Sequence, residues 1–363
     1  MTFKICLAQL NFVVGDLAGN VRRIVAAAHE AHAQGAQLLV TPELALCGYA
    51  AEDLFLRPAF LDACDDALKP IAAETAVLPG LTLVVGHPVR QQTGARGRSV
   101  SVAQLFNAAT VLRHGQTLHT YAKQHLPNYQ VFDERRYFVP GDRTVVFDLP
   151  DARGASLRCG LLICEDAWFD APAQAAKAAG AELLVVLNAS PFHAGKGSER
   201  EATMRERVQS TGLPLVYAHL VGGQDEIVFE GRSFALQVTG DVAMRAESFR
   251  ENLAGVLVEK AQAAIHLEGT VVPEHGFEAE LWHALVLGVR DYVGKNGFPG
   301  ALLGLSGGID SALVLAIAVD ALGKDRVRTV MMPSPYTADI SWIDARDMAE
   351  RLGVRHDEIN IAP

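Results

Sequence analysis

Short apolar runs alternate with amphipathic stretches along most of the chain. Phe3–Leu10 predicts a strand, and Val21, Ile24, Val25 and Ala28 fall at helical spacing behind Asn20, a good helix N-cap. The order repeats with a strand at Gln37–Thr41, a helical stretch from Glu52 to Ala76 and a strand at Leu81–Val85. The Gly-, Arg- and Ser-rich segment Gln91–Ser99 then predicts an exposed loop. Two strand-like runs flank His114-Gly115, predicting an antiparallel hairpin over Val102–Ala122 and therefore a mixed sheet. Strands at Leu157–Ile163, Glu182–Leu187 and Pro214–His219 alternate with an Ala-rich helix after Pro172 and a charged helix over Ser198–Ser210. Thr239-Gly240-Asp241 marks a late hairpin turn.

Periodicity fades over AQAAIHLEGTVVPEHG, so residues 261–276 are expected to link a first domain, 1–260, to a second, 277–363. The second opens with a helix from Phe277 to Val293. It continues as strand Gly300–Leu305, helix Ser311–Leu322, strand Val327–Met331, helix Ser341–Leu352 and strand Val354–Ile359. Three strands are a thin base for a doubly wound parallel α/β domain, and the segment is expected to be the start of a larger one.

Half of the 363 residues are hydrophobic and 20% are charged, which places the chain with globular proteins. The net charge of −10 argues against nucleic-acid binding. No apolar run is long enough to span a bilayer and the N-terminus does not read as a signal peptide, so no membrane partner is expected. Five cysteines (Cys6, Cys47, Cys64, Cys159, Cys164) without CxxC spacing fit a reducing cytoplasm rather than a disulfide framework.

Three apolar or alternating runs end abruptly in a reactive side chain: QLLVTPE in Glu43, TLHTYAK in Lys123 and RCGLLIC in Cys164. Strand ends are where sheets of this class place their chemistry. A thiol nucleophile needs a base for its proton, and the oxyanion formed on an amide needs a donor or cation. Glu43, Cys164 and Lys123 can fill those roles. Singly, each also has a plainer reading as a packed cysteine, a turn-capping carboxylate or a solvated lysine.

The segments PELALCGY, YAKQHLPNYQVFDERRYFVPG and ICEDAW resemble the three signature segments of the nitrilase superfamily, and LAQLNFVVGDLAGN resembles its opening. This resemblance implies a nitrilase-like α-β-β-α sandwich with a catalytic triad of Glu43, Lys123 and Cys164. Glu134 would be a second glutamate beside the lysine, or else an ion-pair partner of Arg135, Arg136 or Arg158. Similarity to glutamine-using members places Tyr129 at the substrate and assigns Ser190 and Lys196, within NASPFHAGK, to glutamine binding; Arg200 competes for the place of Lys196. Glu165 suits the ammonium of a free amino acid. Trp168 and Phe169 read as pocket wall or core, and His29 and His32 lack a third ligand.

The octet GLSGGIDS lies between a strand and a helix, where glycine lets the backbone approach an anion and free N–H groups receive it. It is neither a Walker A loop nor a dinucleotide fingerprint. It resembles the loop of the N-type ATP pyrophosphatases, and MMPSPYTADIS resembles the matching stretch of NAD synthetases. The resemblance implies ATP binding by Gly304, Leu305, Ser306, Gly307, Gly308, Ile309, Asp310 and Ser311. Ser306, Gly307, Gly308 and Ser311 would hold the pyrophosphate, and Asp310 would hold Mg²⁺.

A nitrilase-like domain ahead of an SGGIDS domain is similar to the arrangement of the glutamine-dependent NAD synthetase family. That implies a ligase in which glutamine hydrolysis supplies ammonia, through an internal passage, for ATP-dependent amidation of deamido-NAD to NAD, releasing AMP and pyrophosphate. No tightly bound organic cofactor is expected, and a homo-oligomer is. Two alternatives remain: a stand-alone amidase, which the SGGIDS octet disfavours, and an inactive binding subunit, which the intact Glu43, Lys123 and Cys164 disfavour.

Overall fold

The computed structural model describes residues 1–91, 104–151, 154–262 and 264–361. Beyond Gln91, the expected exposed loop lies outside the described residues. The chain divides into two compact units, Met1–Gly222 with Phe229–Glu274, and Gly223–Val228 with His275–Pro363.

The first unit opens with β1 (Thr2–Gln9), α1 (Leu17–Ala33), β2 (Leu38–Val40), α2 (Pro58–Glu74), β3 (Thr82–Gln91), β4 (Gln104–Arg113) and β5 (Gln116–Ala122). There follow β6 (Val146–Pro150), β7 (Ser156–Ile163), α3 (Asp170–Ala178), β8 (Leu183–Asn188), α4 (Lys196–Thr211) and β9 (Leu215–His219). A small hairpin of β10 (Val221–Gln224) and β11 (Ile227–Glu230), whose residues Gly223–Val228 are counted with the second unit, precedes β12 (Phe234–Leu236), β13 (Val242–Arg245), β14 (Asn252–Ala261) and β15 (Ala264–Gly269). The strands build a seven-stranded sheet, β15-β14-β1-β2-β3-β4-β5, and a six-stranded sheet, β13-β12-β9-β8-β7-β6.

Period-two alternation makes this a four-layer sandwich. Phe3, Ile5 and Leu7 of β1 join Leu157, Cys159, Leu161 and Ile163 of β7 in one buried core shared by both sheets. Leu162, pointing the other way, packs with Ala173 and Ala176 of α3 and Met204 and Val208 of α4. Helices α1 and α2 pack on the first sheet at β2 and β3. Each such buried Leu or Ile contributes ~1.5–3 kcal/mol.

Two expectations are corrected here. Helix α1 is capped by Asp16, whose side chain accepts from Gly19 N at 2.8 Å. Asn20 lies one turn inside and is buried; its amide donates to Val13 O and Leu46 O, so it ties the helix to the turn after Glu43. Within the expected linker, Ala264–Gly269 form strand β15 along β14. Only Ile265 and Leu267 face the core, an alternation too short to stand out beside the alanines that precede it.

The second unit contains α5 (Phe277–Lys295), β16 (Ala301–Gly304), α6 (Ile309–Leu322), β17 (Val327–Met331), α7 (Asp339–Leu352) and β18 (Arg355–Glu358). Its strands are parallel in the order β16-β17-β18. Leu305, Leu315, Val327, Met331, Ala345 and Ala349 fill the core between them and the helices.

Candidate active site

Three strand ends carry the first constellation. Lys123 directly follows β5, and its N–H bonds to Asn107 O on β4 at 2.8 Å. Glu43 stands in the turn after β2, where Leu44 has a φ of 50°. That turn lies so close to β3 that a Cβ on Gly86 would come 2.4 Å from Pro42 O and 2.6 Å from Leu44 N. Glycine is the residue that leaves room for the Glu43 backbone. Cys164 begins a 3₁₀ turn directly after β7, with a φ of 46°, a strained conformation for a side chain with a Cβ. Asp166 joins two of these segments, accepting from Ile163 N, Gln124 N, His125 N and the Tyr121 hydroxyl at 2.7–3.2 Å.

The structure brings Glu43, Lys123 and Glu134 into direct contact. Lys123 Nζ donates to Glu43 Oε1 at 2.7 Å and to Glu134 Oε1 at 2.8 Å. Glu43 also accepts from Asn107 Nδ2 at 2.7 Å and from Ala189 N at 3.1 Å, while Tyr49 OH donates to Glu134 at 3.0 Å. Glu134 therefore pairs with the lysine and not with Arg135, Arg136 or Arg158. Lys123 and Glu43 side chains are both 0% exposed, so the charges compensate one another rather than water compensating them.

Burial opposes the Lys123 ammonium, but Glu134 and Glu43 outweigh it and hold the lysine charged. Burial also raises the Glu134 carboxyl, with Glu43 adding to the effect, as expected when two carboxylates share one cation. The Cys164 thiol is pushed up by burial and by Glu43, against the pull of Lys123. At rest it is a thiol that needs a base.

Around this centre Tyr129 OH donates to Glu165 at 2.9 Å. Both residues line a groove of about 660 Å³ with His125 and Phe169, whose rings stack at 4.2 Å. Ser190 is buried and bonds to Asn188, Arg200 and His219, not to Lys196. Lys196 lies 4.1 Å over the Trp168 ring and 3.1 Å from Glu199. Arg200, the competitor, is fully buried between Ser190 and Glu230. Sequence reasoning missed Asn107, Tyr49, Asp166, Glu230 and His219.

The second constellation is a loop at the head of α6. The helix starts at Ile309, two residues before the position expected from Ser311, with Gly308 as N-cap. Ser306 and Ser311 hydroxyls lie 3.1 Å apart, Ser311 donates to Gly308 O, and Gly308 N donates to Ser306 Oγ. Gly307 has a φ of 81° and touches the start of α7, where a Cβ would meet Ser341 O at 2.4 Å. Leu305 is buried in the core, so only its backbone borders the loop. Ile309 and Asp310 are exposed. No group of three or more His, Cys, Asp or Glu that could hold a metal exists among the described residues. The single exposed carboxylate of Asp310 nevertheless suits Mg²⁺, a cation that one or two carboxylates hold together with phosphate oxygens.

The fold is thus a two-sheet sandwich with a thiol, a carboxylate and an ammonium at its strand ends. The chain belongs to the carbon-nitrogen hydrolase family, which matches residues 4–264, while NAD synthase matches residues 281–363. It is 44% identical over 364 residues to the glutamine-dependent NAD(+) synthetase of Xylella fastidiosa, covering 99% of this chain and 64% of that protein. It thus spans about 64% of the length of the curated relatives it matches. The glutamine-dependent NAD+ synthetase of Acinetobacter baumannii, solved with adenosine diphosphate, superposes with a TM-score of 0.90 at 37% identity over 100% of this chain and 65% of that one. A mutant of an amidase from Nesterenkonia, showing covalent addition of the acetamide moiety of fluoroacetamide at its active site cysteine, gives 0.58 at 27% identity, covering 70% of this chain and 89% of that one. Among the described residues no helix is long and apolar enough to cross a membrane.

Proposed function

We propose that this chain hydrolyses glutamine at Cys164 and belongs to a ligase that uses the ammonia to amidate deamido-NAD with ATP. The observation that carries the first half is a buried lysine bonded to two glutamates beside a strained, buried cysteine. Glu43 takes the Cys164 proton as sulfur attacks the side-chain amide carbon, then delivers it to the departing nitrogen. Lys123 has three N–H donors, two of them turned to carboxylates, which leaves one for the oxyanion. Water, activated by Glu43, resolves the thioester to glutamate. Tyr129, Glu165 and Ser190, with Lys196 or Arg200, bind the amino-acid end.

The second half rests on the Ser306–Ser311 loop and on the relatives. Its N–H groups and hydroxyls receive the pyrophosphate of ATP, and Asp310 holds Mg²⁺, which neutralises phosphate charge when bound. The division between Glu274 and His275 separates the two activities, and we place the protein in the cytoplasm as a homo-oligomer. The test of the first half is labelling with a diazoketone analogue of glutamine. Mass spectrometry should find the adduct on Cys164, blocked by glutamine. Labelling of Cys159 instead, or none, would overturn the assignment.

A further inference from the structure

We propose that Asp166 is a positioning residue, a tie across the two sheets that sets the separation between the Cys164 sulfur and the Lys123 ammonium. The inference rests on the reading of Cys164 as the glutaminase nucleophile and deepens it.

Asp166 is the third residue of the 3₁₀ turn that Cys164 opens, and its Oδ2 reaches back to Ile163 N at 3.2 Å. An acidic side chain at the third position of a helical turn caps it in this way. A cap needs only that one bond. Three further donors nevertheless converge on the same carboxylate, and all three come from the other sheet, from β5 and the residues after it. Tyr121 OH donates to Oδ2 at 2.7 Å, while Gln124 N and His125 N donate to Oδ1 at 2.9 and 2.8 Å. These three residues bracket Lys123 on both sides. Asp166 is 0% exposed, so bulk water does not compete for the bonds.

The chemistry gives such a tie its purpose. Sulfur from the end of β7 attacks the amide carbon, and an N–H from the end of β5 receives the oxygen on that same carbon. The two reacting groups therefore belong to different sheets, and their spacing is set across the sandwich rather than within either one. One planar carboxylate two residues from Cys164 holds both ends of that spacing. It also steadies a turn that has reason to relax, since Cys164 stands at a φ of 46°.

The test is Asp166→Asn, with kcat counted per Cys164 titrated by chloroacetamide and the adduct located by mass spectrometry. The amide turns its NH₂ to Tyr121, whose hydroxyl can accept as well as donate, and keeps its oxygen for Gln124 N and His125 N. The bond to Ile163 N is the one lost, so the tie opens on the cysteine side. Glutamine kcat per titrated site should fall by about 10- to 100-fold, because a misplacement of about 1 Å costs up to about 100-fold, with KM within about threefold. A role in stability alone lowers the thermal transition or the number of titratable sites and leaves kcat per site at the wild-type value; that result overturns the proposal. Tyr121→Phe removes only a hydroxyl and carries the test where the asparagine variant does not fold. There kcat per site should fall by about two- to tenfold, the range of one hydrogen bond, and an unchanged value overturns the proposal. Both variants and the wild type are assayed on propionamide as well. A wild type that hydrolyses propionamide but not glutamine overturns the substrate reading alone, and Asp166 is judged by the same ratio on propionamide. A wild type that hydrolyses neither overturns the reading of Cys164 and the proposal with it.

Discussion

The two candidate sites are built in opposite ways. Glu43, Lys123 and Cys164 are buried at the ends of three strands in two sheets, and every charge among them already has its partner. Ser306, Gly308, Asp310 and Ser311 lie at or near the surface where one loop enters α6, and the two serines and Gly308 are bonded to one another. The first arrangement is prepaid at folding, so it suits a transition state whose charge develops in a fixed place. The second offers donors to a ligand that brings its own charge.

The comparison breaks most sharply at the nucleophile. Cys164→Ala should reduce glutamine hydrolysis by at least about a thousandfold while the thermal transition persists, because only the attacking atom is lost. Activity near the wild-type level would remove the cysteine from the mechanism.

Next in size is a crossed pair measured as NAD formation with glutamine and with ammonia, in a protein that carries the whole of the second domain as the relatives have it. Glu43→Gln should lose roughly 10²- to 10⁴-fold with glutamine and keep the ammonia reaction, since added ammonia bypasses the buried site. Asp310→Asn should depress both. Loss of both activities in a folded Glu43→Gln, or of neither in Asp310→Asn, would end the two-site division.

Smaller effects sharpen how rigid the buried site is. Gly86→Ala should destabilise by about 1–3 kcal/mol and lower kcat, because backbone atoms of the Glu43 turn cannot yield to the new methyl as a side chain could. A stability loss without any change in kcat would show that the turn tolerates displacement. Smallest of all, Tyr129→Phe should raise KM for glutamine by roughly two- to tenfold, the range of one hydrogen bond, and leave kcat nearly unchanged. A fall in kcat at unchanged KM would place the phenol in the chemistry instead.

The helices, most of the strands and the three reactive strand ends were legible because each is a local signal: an apolar run, a helical spacing, a sudden polar residue; β6, β10, β11 and β14 were not anticipated. Asn107 was not, although it too interrupts the apolar run LFNAAT. Its partners lie 64 and 27 residues away, and only the pairing of β4 with β5 brings it beside Lys123. Arg200 and Glu230 were equally hidden as a pair, since burial of two charged residues appears only once α4 and β11 are placed. Asn20 misled for the reverse reason: its cap-like composition is real, but Asp16 reaches the free N–H groups first.

The backbone of Cys164 carries a further consequence. At a φ of 46° a glycine would be relaxed where every side chain with a Cβ is strained. Selection for stability alone would therefore drift towards glycine at this position and silence the chain without unfolding it. A copy freed from its reaction should reveal itself there first, as a sounder protein with nothing to attack with.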